Sequence, residues 1–158
     1  MTLRPYVDGF QLTNAVCEAV SMPLAAVSVA KGDLLVDNGN GYLTNAGITA
    51  FVAANKYYVA IEPVDNSAGA VGDLNILCVS CDDSTKRYIV PNNSATVAAQ
   101  TDIGEVVDLD SEDDIDVTDT TVAGMGFLIE EIDISAAAVA VKTGGFVKGR
   151  FVVEGDQA

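Results

Sequence analysis

The sequence predicts an all-β fold, a small barrel or sandwich, and three observations lead there. Apolar and polar residues alternate with period two along most apolar segments, and no window carries a convincing helical stripe longer than three turns. Gly, Asn, Asp and Ser clusters punctuate the chain at short intervals, as strands joined by turns require. The chain has 158 residues, 49% of them hydrophobic and mostly Val, Ile, Leu and Ala, which suffices for one core and one domain.

Taken in order, the opening MTLRPYVDGFQLTN is polar and proline-bearing and predicts an extended N-terminal arm over residues 1–14. Residues 15–153 form the β domain, and 154–158 a short hydrophilic tail. Asp33 to Val36 and Tyr42 to Thr44 flank DNGNG, whose Asn and Gly residues tolerate positive φ, so a hairpin turn is expected over residues 37–41. Lys56 to Val64 carries the β-branched and aromatic residues of a strand. Asp73 to Ser80 and Lys86 to Val90 are expected to pair as a second hairpin around CDDST, with Pro91, Asn92 and Asn93 stopping the ladder. Ile103 to Leu109, Phe127 to Ile134, Ala138 to Val141 and Phe146 to Val153 are the later strands. The weak helical segment Ala46 to Asn55 contains three β-branched residues and is limited to a turn or two. No internal repeat is visible.

With 23 acidic and 8 basic residues the formal charge is −15, so nucleic acid and anionic membranes repel the chain and a protein partner is expected. The start MTLRPYVDGF lacks the basic-then-apolar pattern of a secretory signal. No apolar run reaches the roughly 18 residues of a membrane-crossing helix. Cys17, Cys78 and Cys81 are an odd, sparse set for a disulfide scaffold, which points to a reducing site of synthesis.

Enzymatic equipment is thin. Histidine is absent, which removes the commonest general base and the commonest nitrogen ligand for zinc. No serine sits in a nucleophile elbow, and no Gly-rich phosphate loop precedes a helix. Gly144 and Gly145, between lysines, read as a turn rather than an anion site. Cys78 and Cys81 form a C-x-x-C that closes a strand, whereas a redox pair sits at a helix N-terminus and a zinc site needs two further ligands.

The stretch DIGEVVDLDSEDDIDVTD, Asp102 to Asp119, holds nine acids in eighteen residues. Asp108, Asp110, Glu112, Asp114, Asp116 and Asp119 match the ligand spacing of a calcium loop, yet Asp113 stands where the sharp turn demands glycine and neither flank is helical. A glycosidase pair needs one carboxyl in an apolar pocket, which this stretch does not suggest. The alternation favours two short strands joined at Ser111 to Asp113. Ile103, Val106 or Val107, Leu109, Ile115 and Val117 would face in, and Glu105, Asp108, Asp110, Asp114 and Asp116 out. Charges on an edge blunt unwanted pairing.

YYVAIEPVDNSAGAVGDLNILCV, KGDLLVDNGNGYL, IGEVVDL, GFLIEEIDI and GGFVKGRF together make Lys31 to Phe151 resemble the small head decoration, or cement, proteins of tailed bacteriophages. That resemblance implies a single small β-barrel or β-tulip-like sandwich with an extended N-terminal arm. It implies a trimer on the outer surface of the capsid, where major capsid proteins meet, made in the host cytoplasm, with no cofactor and no metal. The arm would reach the capsid or a neighbouring subunit, with Leu3, Arg4, Pro5, Tyr6, Val7 and Phe10 as its partner-facing residues. Another virion surface module (a turret, fibre base or host-adhesion domain) is the alternative, and a calcium-binding β module a further one.

Overall fold

A computed structural model describes residues 9–13, 18–37, 39–46, 55–82, 85–94, 96–111, 113–120, 125–133 and 144–153. The fold is all-β, built from three antiparallel sheets, one of them curled into a half-barrel. The strands are β1 (Gln11–Leu12), β2 (Val20–Pro23), β3 (Ser28–Val29), β4 (Leu34–Asp37), β5 (Thr44–Asn45), β6 (Lys56–Ala60) and β7 (Val64–Asp65). They continue as β8 (Asn75–Ser80), β9 (Tyr88–Pro91), β10 (Val106–Ser111), β11 (Asp114–Asp116), β12 (Met125–Asp133) and β13 (Phe146–Val153), with a 3-10 turn at Gln100–Asp102.

The six-stranded sheet runs β1-β9-β13-β12-β10-β11, the five-stranded one β2-β8-β6-β4-β5, and β3 pairs with β7. In both larger sheets an isolated parallel bridge draws distant strands together. Leu24, just after β2, meets Leu43, just before β5, and Leu43 N–H donates to Pro23 O while Ala25 N–H donates to Leu43 O. Asn92, just after β9, meets Ile115 of β11. Each bridge satisfies backbone groups that an open edge would leave to water or to another chain.

The main core lies between the two larger sheets: Leu34, Val36, Tyr57 and Val59 from one meet Tyr88, Val107, Ile115, Phe127, Ile129, Val147 and Phe151 from the other. A second cluster of Leu24, Val29, Leu35, Leu43, Ala60, Ile76 and Cys78 packs on the opposite face of the five-stranded sheet. That sheet is therefore covered on both sides, which is why β4 reads as an uninterrupted apolar run instead of an alternation. Successive residues Leu34 and Leu35 enter different cores, as the pleat dictates.

The hairpin expected around residues 37–41 is present, with Val36 opposite Thr44 and Leu35 opposite Asn45. The second hairpin is not. β8 lies between β2 and β6, whereas β9 lies in the other sheet between β1 and β13, so the CDDST connection crosses from one sheet to the next. The strand expected to run from Lys56 to Val64 ends at Ala60, and after a bend at Ile61 and Glu62 the chain pairs again as β7 with β3. Phe146–Val153 forms as expected, while Ala138 to Val141 and most of the weak helical segment, residues 47–54, lie outside the described residues.

Candidate functional site

The start of the described chain is fastened into the domain. Gly9, at φ 90°, donates its N–H to Asp113 O at 2.9 Å, and Phe10 N–H donates to Gly32 O at 2.8 Å. The Phe10 ring then stands 4.8 Å from that of Phe151, 5.8 Å from Phe127 and 6.5 Å from Tyr88, within an aromatic cluster that draws on β9, β12 and β13. Gln11 and Leu12 add β1 to the edge of the six-stranded sheet opposite Ile89 and Tyr88. Phe10 is thus a core residue at 1% exposure, not a partner-facing one, and the free arm cannot extend to residue 14. An aromatic ring after the flexible Gly9 gains more from the apolar cluster than from an exposed contact. Leu3, Arg4, Pro5, Tyr6 and Val7 lie outside the described residues.

The acidic stretch forms the predicted antiparallel pair, β10 with β11, with Asp108 opposite Asp116 and Leu109 opposite Ile115. Val107, Leu109, Ile115 and Val117 are buried, as the alternation requires. The side chain of Asp110 lies outside the described ones, and among the rest two residues differ. Ile103 is 40% exposed beside the 3-10 turn, and Asp114, expected to face out, is 3% exposed. A register shift between Leu109 and Ser111 sets Ser111 opposite Asp114 and breaks the period-two rule there. The neighbouring Asp113 holds Gly9, so this hairpin clasps the point where the N-terminal segment enters the fold. Among the described residues no three His, Cys, Asp or Glu side chains are grouped to hold a metal ion.

Cys78 and Cys81 are free thiols that point into different cores, Cys78 into the second cluster and Cys81 into the main one. Burial pushes the Cys78 thiol up to about 12 and raises that of Cys81 well above its usual value, with Asp82 and Cys78 adding to the latter. Neither is poised as a nucleophile or thiolate ligand. Cys17 lies outside the described residues.

Elsewhere the surface is divided. Arg87 pairs with Glu130 at 2.6 Å and Lys148 with Glu131 at 3.4 Å, closing a charged patch on the outer side of β9, β12 and β13. Exposed apolar side chains are spread over both sheets: Val20 and Leu77 on opposite faces of the five-stranded one, Tyr42, Val71 and Leu74 in its loops, and Val97 and Ile103 in the chain leading to β10. Gly72 sits against the Tyr42 ring, where a β-carbon would come within 3.0 Å of it. A groove of about 380 Å³ runs past Leu12, Lys31, Gly32 and Ile61 beside the entry of the N-terminal segment. No helix among the described residues is long and apolar enough to cross a membrane.

Comparisons with protein-family models, with curated proteins and with solved structures returned no match. Sequence reasoning missed the clasp at Gly9 and Asp113. The available signal was GF followed by QL, a flexible residue and a large aromatic ring leading into an alternating pair.

Proposed function

We propose that this chain is a non-enzymatic structural protein of a virion, binding the outer surface of an assembled capsid and stabilising it as a homotrimer where major capsid proteins meet. The observation that carries the reading is the fastening of Gly9 and Phe10: a segment ahead of them that grips a partner would pass its load through the aromatic cluster directly into the core. A tether ending in an exposed loop would not do this. The charge of −15 adds support, because packaged DNA repels such a protein while the particle exterior, in salt water, does not. The exposed apolar side chains around the contact of Tyr42 with Gly72, Val71 and Leu74 among them, offer the desolvated contact that subunit association uses. Stabilisation is then mass action: a protein that binds the assembled lattice and not free subunits shifts the equilibrium toward the intact shell.

The test uses purified undecorated heads of the particle that carries this chain. The full-length protein should occupy ordered lattice sites in a cryo-electron map and sediment as a trimer. Removal of Met1 to Asp8 should abolish occupancy while leaving the thermal transition in place. Unchanged occupancy after that deletion rejects the arm, and binding that ignores the lattice rejects the decoration role in favour of an adhesion module.

A further inference from the structure

We infer that Asn40 is a self-processing modification site, where the turn between β4 and β5 assembles the groups that convert its side-chain amide to a carboxylate with loss of ammonia. Asn40 is exposed and followed by Gly41, which takes φ 82° with no atom within 4 Å of where a β-carbon would be. Without a side chain of its own, Gly41 puts no β-carbon in the way of its nitrogen as it approaches the preceding side chain. Two hydrogen bonds then do what an acyl-transfer site does. Asn40 Oδ1 accepts from Tyr42 N–H at 3.0 Å, which polarises the Cγ=O and places a donor where negative charge develops on attack. Gly41 N–H donates to Asp37 Oδ1 at 3.2 Å, so a carboxylate faces the proton that must leave the attacking nitrogen. Gly39 N–H donates to the same Asp37 oxygen at 2.9 Å, which holds that carboxylate under the turn.

In the reaction the Gly41 nitrogen forms a bond to Asn40 Cγ and its proton passes to Asp37. The tetrahedral oxygen, stabilised by Tyr42 N–H, collapses back to a carbonyl. The bond from Cγ to the side-chain nitrogen breaks, and that nitrogen leaves as ammonia with the proton returned from Asp37. Solvent water opens the resulting five-membered imide at either carbonyl, giving aspartate or isoaspartate at position 40. No oxidant or reductant is needed, and the formal charge moves from −15 to −16, one carboxylate being added. The isoaspartyl product also inserts a methylene into the backbone between Val36 and Thr44, the pair that sets the β4–β5 register, close to the bridge between Leu43 and Leu24.

The experiment incubates the folded full-length protein at neutral pH and follows residues 37–44 by peptide mapping and isoaspartyl methyltransferase labelling. The same protein in urea and the Asp37→Ala and Asp37→Asn variants run in parallel, with folding of each variant confirmed by near-ultraviolet circular dichroism. The native chain should convert Asn40 faster than the urea-unfolded chain. Asp37→Ala should lower the native rate severalfold. Asp37→Asn, which keeps an oxygen acceptor but no base, should be slowed as well, and Asn40→Gln should show no product at this position. Native conversion no faster than in urea overturns the inference, because the turn then contributes nothing beyond the Asn-Gly sequence. So does a wild-type rate in Asp37→Asn.

Discussion

Gly9 and Gly32 cross backbone on backbone: a β-carbon on Gly9 would lie 2.8 Å from both the carbonyl carbon and the carbonyl oxygen of Gly32. Both residues hold positive φ, 90° and 91°, and the hydrogen bond from Phe10 N–H to Gly32 O runs through the crossing. Gly9→Ala therefore meets a conformational penalty of about 1–3 kcal/mol and an overpacking cost of similar size. Urea denaturation should show a loss of at least about 2 kcal/mol on these terms. A loss below about 0.5 kcal/mol, the scatter of ordinary surface substitutions, would mean that the crossing does not fasten the segment.

Phe10 turns the same crossing into a test of function. Its ring belongs to the core, so Phe10→Ala should cost about 3–5 kcal/mol of stability, and loss of partner binding in that variant would follow from unfolding alone. Phe10→Leu fills most of the space and should remain folded, with a lower thermal midpoint. If Phe10→Leu stayed fully folded at wild-type stability, the aromatic contacts at 4.8–6.5 Å would not be holding the segment.

Asn92 is fully buried and uses both ends of its amide. Nδ2 donates to Thr96 O at 2.9 Å and Gly144 O at 3.1 Å, while Oδ1 accepts from Ser94 N–H at 3.1 Å and Val117 N–H at 3.2 Å. One side chain thus ties the end of β9 to the start of β13 and to the residue after β11. Asn92→Ala strands the Val117 N–H, at about 1–3 kcal/mol, and leaves Gly144 O with only its bond from Ala98 N–H, so a loss of about 2 kcal/mol or more is expected by equilibrium denaturation. Asn92→Asp should be no milder, since it removes both donors and buries a charge. Retention of stability within about 1 kcal/mol in Asn92→Ala would show that water replaces the amide.

How much of this was legible in the sequence depended on range. The DNGNG turn and the β10–β11 pair were readable because turn chemistry and period two are local. The partners of β8 and β9 were not, because adjacent strands are by default expected to pair and nothing in CDDST says that the chain changes sheets. Asn92 reads in the sequence only as a stop signal, whereas in the fold its buried amide joins the end of β9 to Gly144 and Val117. Asp114 was misplaced by a single register shift, which composition cannot reveal. The position of Phe10 was hidden by its polar surroundings in the sequence, which describe the segment before it and not the residue itself.

The thiols give a pH test. The Cys78 thiol is raised from 9.0 to about 12 by burial, so the folded protein keeps its proton at pH values where the unfolded chain has lost it. A raised folded-state value contributes stability that is fully present below about 9, declines above that and is lost as pH climbs toward about 12. Tyr58, also raised by desolvation first and then by Cys78 and Asp37, slopes in the same direction. Denaturation midpoints should fall between pH 9 and 11, and less steeply in Cys78→Ala. In the native protein at pH 8 both Cys78 and Cys81 should resist disulfide-exchange reagents until the chain unfolds. Rapid labelling of either would contradict the burial of these thiols.

Asp108 and Asp116 face each other across β10 and β11, like charges at a directly paired position. Such pairs are unfavourable, and the penalty falls as salt screens them. Added sodium chloride should therefore raise the thermal midpoint of the wild-type protein. Asp108→Lys should gain about 0.2–1 kcal/mol at low salt through the new opposite-charge pair and respond less to salt. Calcium supplies the discriminating arm. If the pair were part of a cation site, micromolar calcium would stabilise the wild type well beyond what matched ionic strength achieves, and Asp108→Lys would abolish that increment. The expected result is no calcium-specific increment, because among the described residues no three carboxylates of this hairpin are grouped to hold a cation.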